Sequence, residues 1–203
     1  SIDELVAHCT FEEVTHLLHH GHLPNQTELT AMEQELRTQR ELPQGVLDFL
    51  KAAPKDANPM DVLRTGVSML GLYDKRAKIG EPDMAANALI AISLVAKTPV
   101  IVAAFHRFRQ GLELPPVRTD LSEAAHFLYL INGEAPSKKA TEILDVAYTL
   151  HADHGMNAST FSARVTVATL SDFYSAMTSA IGTLKGPLHG GANEGVIHML
   201  EKI

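Results

Sequence analysis

Apolar residues recur along this chain at intervals of three and four, with no sustained period-two alternation. The pattern predicts helices throughout. Thr10-Phe11-Glu12-Glu13 has the form of a capping box, in which Thr10 accepts from the third helical amide and Glu13 reaches back. Phe11, Val14, Leu17 and Leu18 follow at helical spacing, and Gly21 supplies a stop. A polar-faced helix is predicted over residues 27–40, and Pro43 introduces a short one that runs to Ala53. Asn58-Pro59 pairs a cap with proline at the first helical position, where its missing N–H costs nothing. Met60, Leu63, Val67 and Leu70 then form one apolar stripe. Glu81-Pro82 repeats that device before a long apolar run at 85–105, which Pro99 is expected to kink or break into a helix pair. Asp120 opens a helix closed by Gly133. Pro136 opens another, through Ile143, Val146, Ala147 and Leu150 toward Gly155. Ser171 caps the next, ending near Gly182 or Gly186, and the last begins at Gly190-Gly191. The break is clearest at 111–118, with Pro115-Pro116. The expected fold class is all-α.

Composition narrows the class. Hydrophobic residues make up 45% of the 203, aromatics only 5%, and there is no Trp, so the core must be Leu, Val, Ile, Ala and Met. The net charge is −7 and the 17 Lys and Arg are scattered, which argues against a nucleic-acid groove. A site for an acidic metabolite needs only a few placed cations and stays open. A single cysteine, Cys9, excludes an intramolecular disulfide and a multi-cysteine zinc site. With no basic-then-apolar leader at the start, a cytoplasmic protein is expected. The run at 85–105 contains Asn87, Ser93, Lys97 and Pro99, polar or helix-breaking groups that lipid would leave unsatisfied. It is expected to lie inside a soluble fold, not in a membrane.

The chemistry concentrates in two short segments. Of the 11 histidines, His8, His16, His19, His20 and His22 are expected to face solvent, and His106 and His126 to be hydrogen-bonded structural residues. The stretch 151–160 is denser: His151, Asp153, His154, Asn157, Ser159 and Thr160. Gly155 is expected to end the preceding helix, placing His154 at a helix C-terminus, where the negative dipole end favours imidazolium and suits an anionic ligand. Asn157 and Ser159 either cap the next helix or line a site. His151 and His154 are three apart and can ligate one ion, but the zinc-protease spacing of four with an intervening glutamate is absent, so no metal is expected. The second segment is Gly186-Pro187-Leu188-His189-Gly190-Gly191. His189 stands there at a helix N-terminus, a setting that favours neutral imidazole. Such a ring can donate to a carbonyl oxygen and stabilise an enol, as in enolising isomerases. Gly190 and Gly191 leave the backbone open to a bulky substrate. The alternative is simply a histidine in a glycine–proline turn.

Segments 151–164 and 186–196 closely resemble the signature regions of citrate synthases, with further matches at 1–24, 58–72 and 97–109. The string Leu188-His189-Gly190-Gly191-Ala192-Asn193-Glu194, paired with His151-Ala152-Asp153-His154 and Asn157-Ala158-Ser159-Thr160, is highly specific. The resemblance implies a multi-helical large domain over 1–185 that forms a homodimer, and the start of a smaller domain at 186–203. It implies that His189 is catalytic, holding the thioester oxygen of acetyl-CoA, and that Ser159 orients it. It further implies that His154 binds oxaloacetate, that Asn157 lines the same site, and that Gly190 and Gly191 form near-site backbone. Acetyl-CoA enters as a substrate, and no cofactor is expected.

This sequence also departs from the family's pattern. The family's chain continues for about as much length again, carrying a second catalytic histidine, an aspartate base and carboxylate-binding arginines. Asn58 stands where relatives often have histidine. These 203 residues alone are therefore expected to be inactive. The alternatives are a 2-methylcitrate synthase using propionyl-CoA, a non-catalytic helical dimerisation scaffold, and a metal-binding helical protein using His151 and His154.

Overall fold

The computed structural model describes residues 1–77, 80 and 83–202, without side chains at 193–195 and 200. Regular structure among the described residues is helical. In chain order it comprises α1 (Ile2–His8), α2 (Phe11–His20), α3 (Gln26–Thr38), α4 (Gln44–Ala52), α5 (Pro59–Tyr73), α6 (Met84–Arg109), α7 (Glu123–Asn132), α8 (Lys138–His151), α9 (Ala158–Ala168), α10 (Phe173–Leu184) and α11 (Ala192–Leu200).

Local chemistry accounts for most boundaries. The capping box at Thr10 forms as expected, and Gly21 ends α2 in the left-handed region at φ 81°. Asn58 accepts from the Met60 amide at 2.9 Å, confirming it as a cap. Three starts differ from expectation. α7 begins at Glu123 behind a Ser122 cap rather than at Asp120, α10 is capped by Asp172 instead of Ser171, and α1, with its own Ser1–Glu4 capping box, was not foreseen. The Glu81-Pro82 signal lies outside the described residues.

Pro99 does not break α6, which runs unbroken for 26 residues. An interior proline costs roughly 3 kcal/mol through its lost hydrogen bond and ring clash. Around it, Ile90, Ile92, Leu94, Ala96, Val100, Ile101, Ala103, Ala104 and Phe105 are all buried. Each larger side chain among them contributes about 1.5–3 kcal/mol on burial, so packing wins. The helix is long and apolar enough to cross a membrane, yet 56% of its most apolar window is buried inside the protein. Lys97, one of its polar interruptions, donates to the Gln39 carbonyl at 2.5 Å and to Ser93 Oγ at 2.8 Å.

The chain divides into two compact units, Ser1–Lys55 with Ala88–His154, and Asp56–Asn87 with Gly155–Ile203. The boundary expected between 185 and 186 concerns a longer protein; here the residues on both sides of it share the second unit.

The first unit packs Met32 and Leu36 of α3 on Ile92 and Ala96 of α6, and Leu130 of α7 on Val100 and Ala103. A buried polar network runs through it. Arg40 donates to Glu123 Oε1 at 3.1 and 2.5 Å and to the carbonyls of Arg118 and Leu121 at 2.5 and 2.8 Å. The Glu123 amide donates to Glu12 Oε1 at 2.8 Å. Burial pushes both carboxyls up, against the pull of Arg40 on Glu123. Two histidines depart from expectation. His16 is buried, its Nδ1 3.1 Å from the His22 carbonyl oxygen, because α2 turns that face inward. His126 is buried with no partner for Nε2 among the described residues, and burial, reinforced by the Arg40 charge, pushes it down to about 3.

The second unit stacks α10 on α9 and α5 through small side chains. At Gly71 on α5 an added Cβ would come within 3.1 Å of Tyr174 Cβ on α10, so glycine permits this approach. Tyr174 Oη then donates to Asp74 Oδ2 at 2.6 Å, and Arg76 grips the same carboxylate. Ser162 of α9 meets Ser179 of α10, Oγ to Oγ, at 2.6 Å.

Candidate active site

Asn157 starts α9 by accepting the Thr160 amide at 2.9 Å. The helix therefore begins at a defined point, and Ser159 stands in its first turn. The other half of the site comes from the end of α10. Past Leu184 the chain folds back on itself: the amides of His189 and Gly191 both donate to the Gly186 carbonyl, at 3.0 and 3.2 Å. The His189 carbonyl then accepts the Ala192 amide at 3.1 Å as α11 begins.

Two glycines make this turn possible. A Cβ at Gly190 would lie 2.6 Å from the Leu184 carbonyl oxygen. One at Gly191 would lie 3.0 Å from the carbonyl oxygens of Lys185 and Gly186. The close approach seen at both glycines is thus to the end of α10, a reason distinct from the access for substrate that their sequence suggested.

The turn brings the half-buried His189 ring to α9. Its Nε2 lies 2.6 Å from Ser159 Oγ, across 30 residues of sequence. With Ser159 donating, Nε2 is the acceptor and the single ring proton sits on Nδ1. That tautomer offers a directed N–H to a second oxygen, with the ring held by the first bond.

Of the residues singled out in the sequence, Ser159, His189, Gly190 and Gly191 thus come together, and Asn157 heads the helix that carries Ser159. His154 lies in the first unit, exposed. Its expected place at a helix end is not observed. α8 stops at His151, which places its own Nδ1 2.7 Å from the Ala147 carbonyl oxygen. The helix-end dipole therefore acts on His151, three residues short of His154. Among the described residues no group of three or more His, Cys, Asp or Glu is placed to hold a metal ion.

Sequence reasoning passed over Lys185, the last residue before the turn, whose Nζ is 2.6 Å from Asp61 Oδ2. No local signal links the two, because 124 residues separate them.

Fold and site together define an all-helical protein that presents one serine-held histidine from a glycine turn. A family model for the citrate synthase C-terminal domain matches residues 1–203, and the chain belongs to the citrate synthase family. Citrate synthase 2 of Bacillus subtilis is 50% identical over 203 residues, covering 100% of this chain and 54% of that protein. A 2-methylcitrate synthase of Shewanella oneidensis is 42% identical over 201 residues, covering 98% and 52%. The structure also matches the citrate synthase of Thermoplasma acidophilum, solved as a ternary complex with carboxymethyl coenzyme A and oxaloacetate. The TM-score is 0.90 at 27% identity, covering 100% of this chain and 53% of that one. The chain spans about half the length of the curated relatives it matches.

Proposed function

We propose that this chain is part of a longer acyltransferase of the citrate synthase type, which condenses acetyl-CoA with oxaloacetate to give citrate and CoA. The observation that carries the reading is the 2.6 Å contact between Ser159 Oγ and His189 Nε2. It leaves Nδ1–H of His189 to donate to the thioester carbonyl oxygen of acetyl-CoA. As a carboxylate base removes a methyl proton, negative charge moves onto that oxygen, and a preplaced donor stabilises it. The enol carbon then bonds to the ketone carbon of oxaloacetate, whose oxygen takes up a proton. Water cleaves the C–S bond and CoA leaves.

The base, a second histidine and the carboxylate-binding arginines belong to the part of the family's length that this chain does not span. His154 and Asn157 contribute to binding oxaloacetate, and Gly190 and Gly191 form the backbone beside the reacting atoms. No cofactor is required, because a hydrogen bond stabilises the enol.

The full protein is a cytoplasmic homodimer in this reading. Leu72 of α5 and Met84 of α6 are 81% and 78% exposed, and large apolar side chains left in water support a further interface. Phe161 and Val165, one turn apart on α9, are 62% and 52% exposed and suit cover by further chain.

His189→Ala in the full-length enzyme should lower kcat about 10²–10³-fold, the cost of removing one such donor, while the protein still folds. Near-normal citrate formation by that variant would defeat the assignment. The 203-residue chain alone should form no citrate.

Propionyl-CoA is the alternative acyl donor, and the similarity to a 2-methylcitrate synthase favours testing it. One methylene is worth about 1–3 kcal/mol in an apolar pocket, so kcat/KM for the two acyl-CoAs decides.

A further inference from the structure

We propose that Asp61 and Lys185 form a positioning pair for the His189 turn, so that α5 sets where the imidazole stands. The proposal rests on the catalytic role proposed for His189.

Lys185 caps the C-terminus of α10, and the turn follows directly from it. Its Nζ meets Asp61 Oδ2 at 2.6 Å. Asp61 lies in the first turn of α5, where the free amides of the helix end favour a carboxylate. Its other oxygen accepts Arg64 Nη2 at 3.0 Å, which fixes the carboxylate on its own helix. The hydrogen bond from Lys185, with the added charges of Lys185 and Arg64, holds Asp61 below its usual range.

Within the turn, up to its link with α11, the backbone bonds close on the end of α10 and on Gly186 beside it. The Gly186 amide donates to the Thr183 carbonyl at 3.1 Å, and the His189 and Gly191 amides donate to the Gly186 carbonyl. Gly190 and Gly191 sit against Leu184, Lys185 and Gly186 with no room for a side chain. A displacement of residue 185 therefore moves His189 with it. At the far end of the ring Ser159 is held in register by the Ser162–Ser179 bond between α9 and α10. The imidazole is thus fixed at two points: its ring by α9, and its backbone by the grip of α5 on Lys185.

The side chains of the pair are 37% and 34% exposed, so the ion pair itself adds little stability. Placement is more sensitive, since a shift of about 1 Å can cost on the order of 10²-fold in rate. The expected signature is lost turnover in a protein of unchanged stability.

In the full-length enzyme, Lys185→Met keeps the aliphatic stem and removes the charge. Its kcat should fall about five- to tenfold, with KM for both substrates within about twofold and the thermal midpoint within about 2 °C. Lys185→Arg should restore at least half of the loss. Asp61→Asn should match Lys185→Met, and the double variant should lose no more than either alone.

Wild-type kcat in Lys185→Met, or losses that add in the double variant, would overturn the pair. So would a raised KM for acetyl-CoA, which would mark Lys185 as a substrate contact, or a lowered midpoint, which would mark a fold-holding role. His189→Ala is measured alongside. Full turnover in that variant overturns both readings. Its inactivity beside a normal Lys185→Met overturns the pair alone.

Discussion

His126 in the first unit and His189 in the second are placed by opposite means. His126 is 1% exposed, feels the charge of Arg40, and has no partner for Nε2 among the described residues. His189 is half-buried and its Nε2 is held by a hydroxyl. The first unit places its polar groups deep, with Arg40, Glu123 and Glu12 all at most 5% exposed. The second uses short hydroxyl and glycine contacts between helices and leaves the His189 ring half-exposed. Burial removes a histidine from acid–base work, whereas one directed bond at the edge of the fold readies it.

Breaking the first unit's network should produce the larger effect. Arg40→Met leaves the buried Glu123 carboxyl without its cation. Removing one partner of a buried pair costs about 3–5 kcal/mol, to be read from chemical denaturation. A loss under about 1 kcal/mol would show that the network does not hold this unit.

The next test is pH. Burial, reinforced by the Arg40 charge, pushes the His126 imidazole down to about 3, well below the ~6.5 of a free histidine, so the unfolded chain takes up the proton first. The stability it confers is complete above about 6.5 and is lost as pH falls toward about 3. Between pH 6.5 and 5 that slope amounts to at most about 2 kcal/mol. His126→Leu should flatten this part of the stability profile. An unchanged slope would place the acid sensitivity elsewhere.

The smallest expected effect sharpens the second half of the contrast. Ser159→Ala should leave stability within about 1 kcal/mol, the net worth of one such hydrogen bond. It should lower kcat about tenfold by freeing the ring. A change confined to stability would make Ser159 a structural partner rather than an orienting one.

Much of the fold was legible because its signals are local. Thr10 with Glu13, Asn58 with Pro59, and Gly21 and Gly133 each act through groups within four residues. What failed depended on distant groups. Pro99 is tolerated because packing around α6 outweighs its cost. His16 points inward because α2 is packed on that side. His154 missed its helix end because α8 stops at His151, four residues before the glycine taken as its terminus. At the site, His189 and Ser159 stood out through composition and family likeness, whereas Lys185 and Asp61 carried no local mark.

By itself the sequence determined the helical class and most caps, because these depend on backbone preferences and near neighbours. Tertiary structure alone decided which hydroxyl holds the imidazole, which helix anchors its turn, and which charges are buried together. Those outcomes depend on groups brought together across 30 to 124 residues, and only packing can do that.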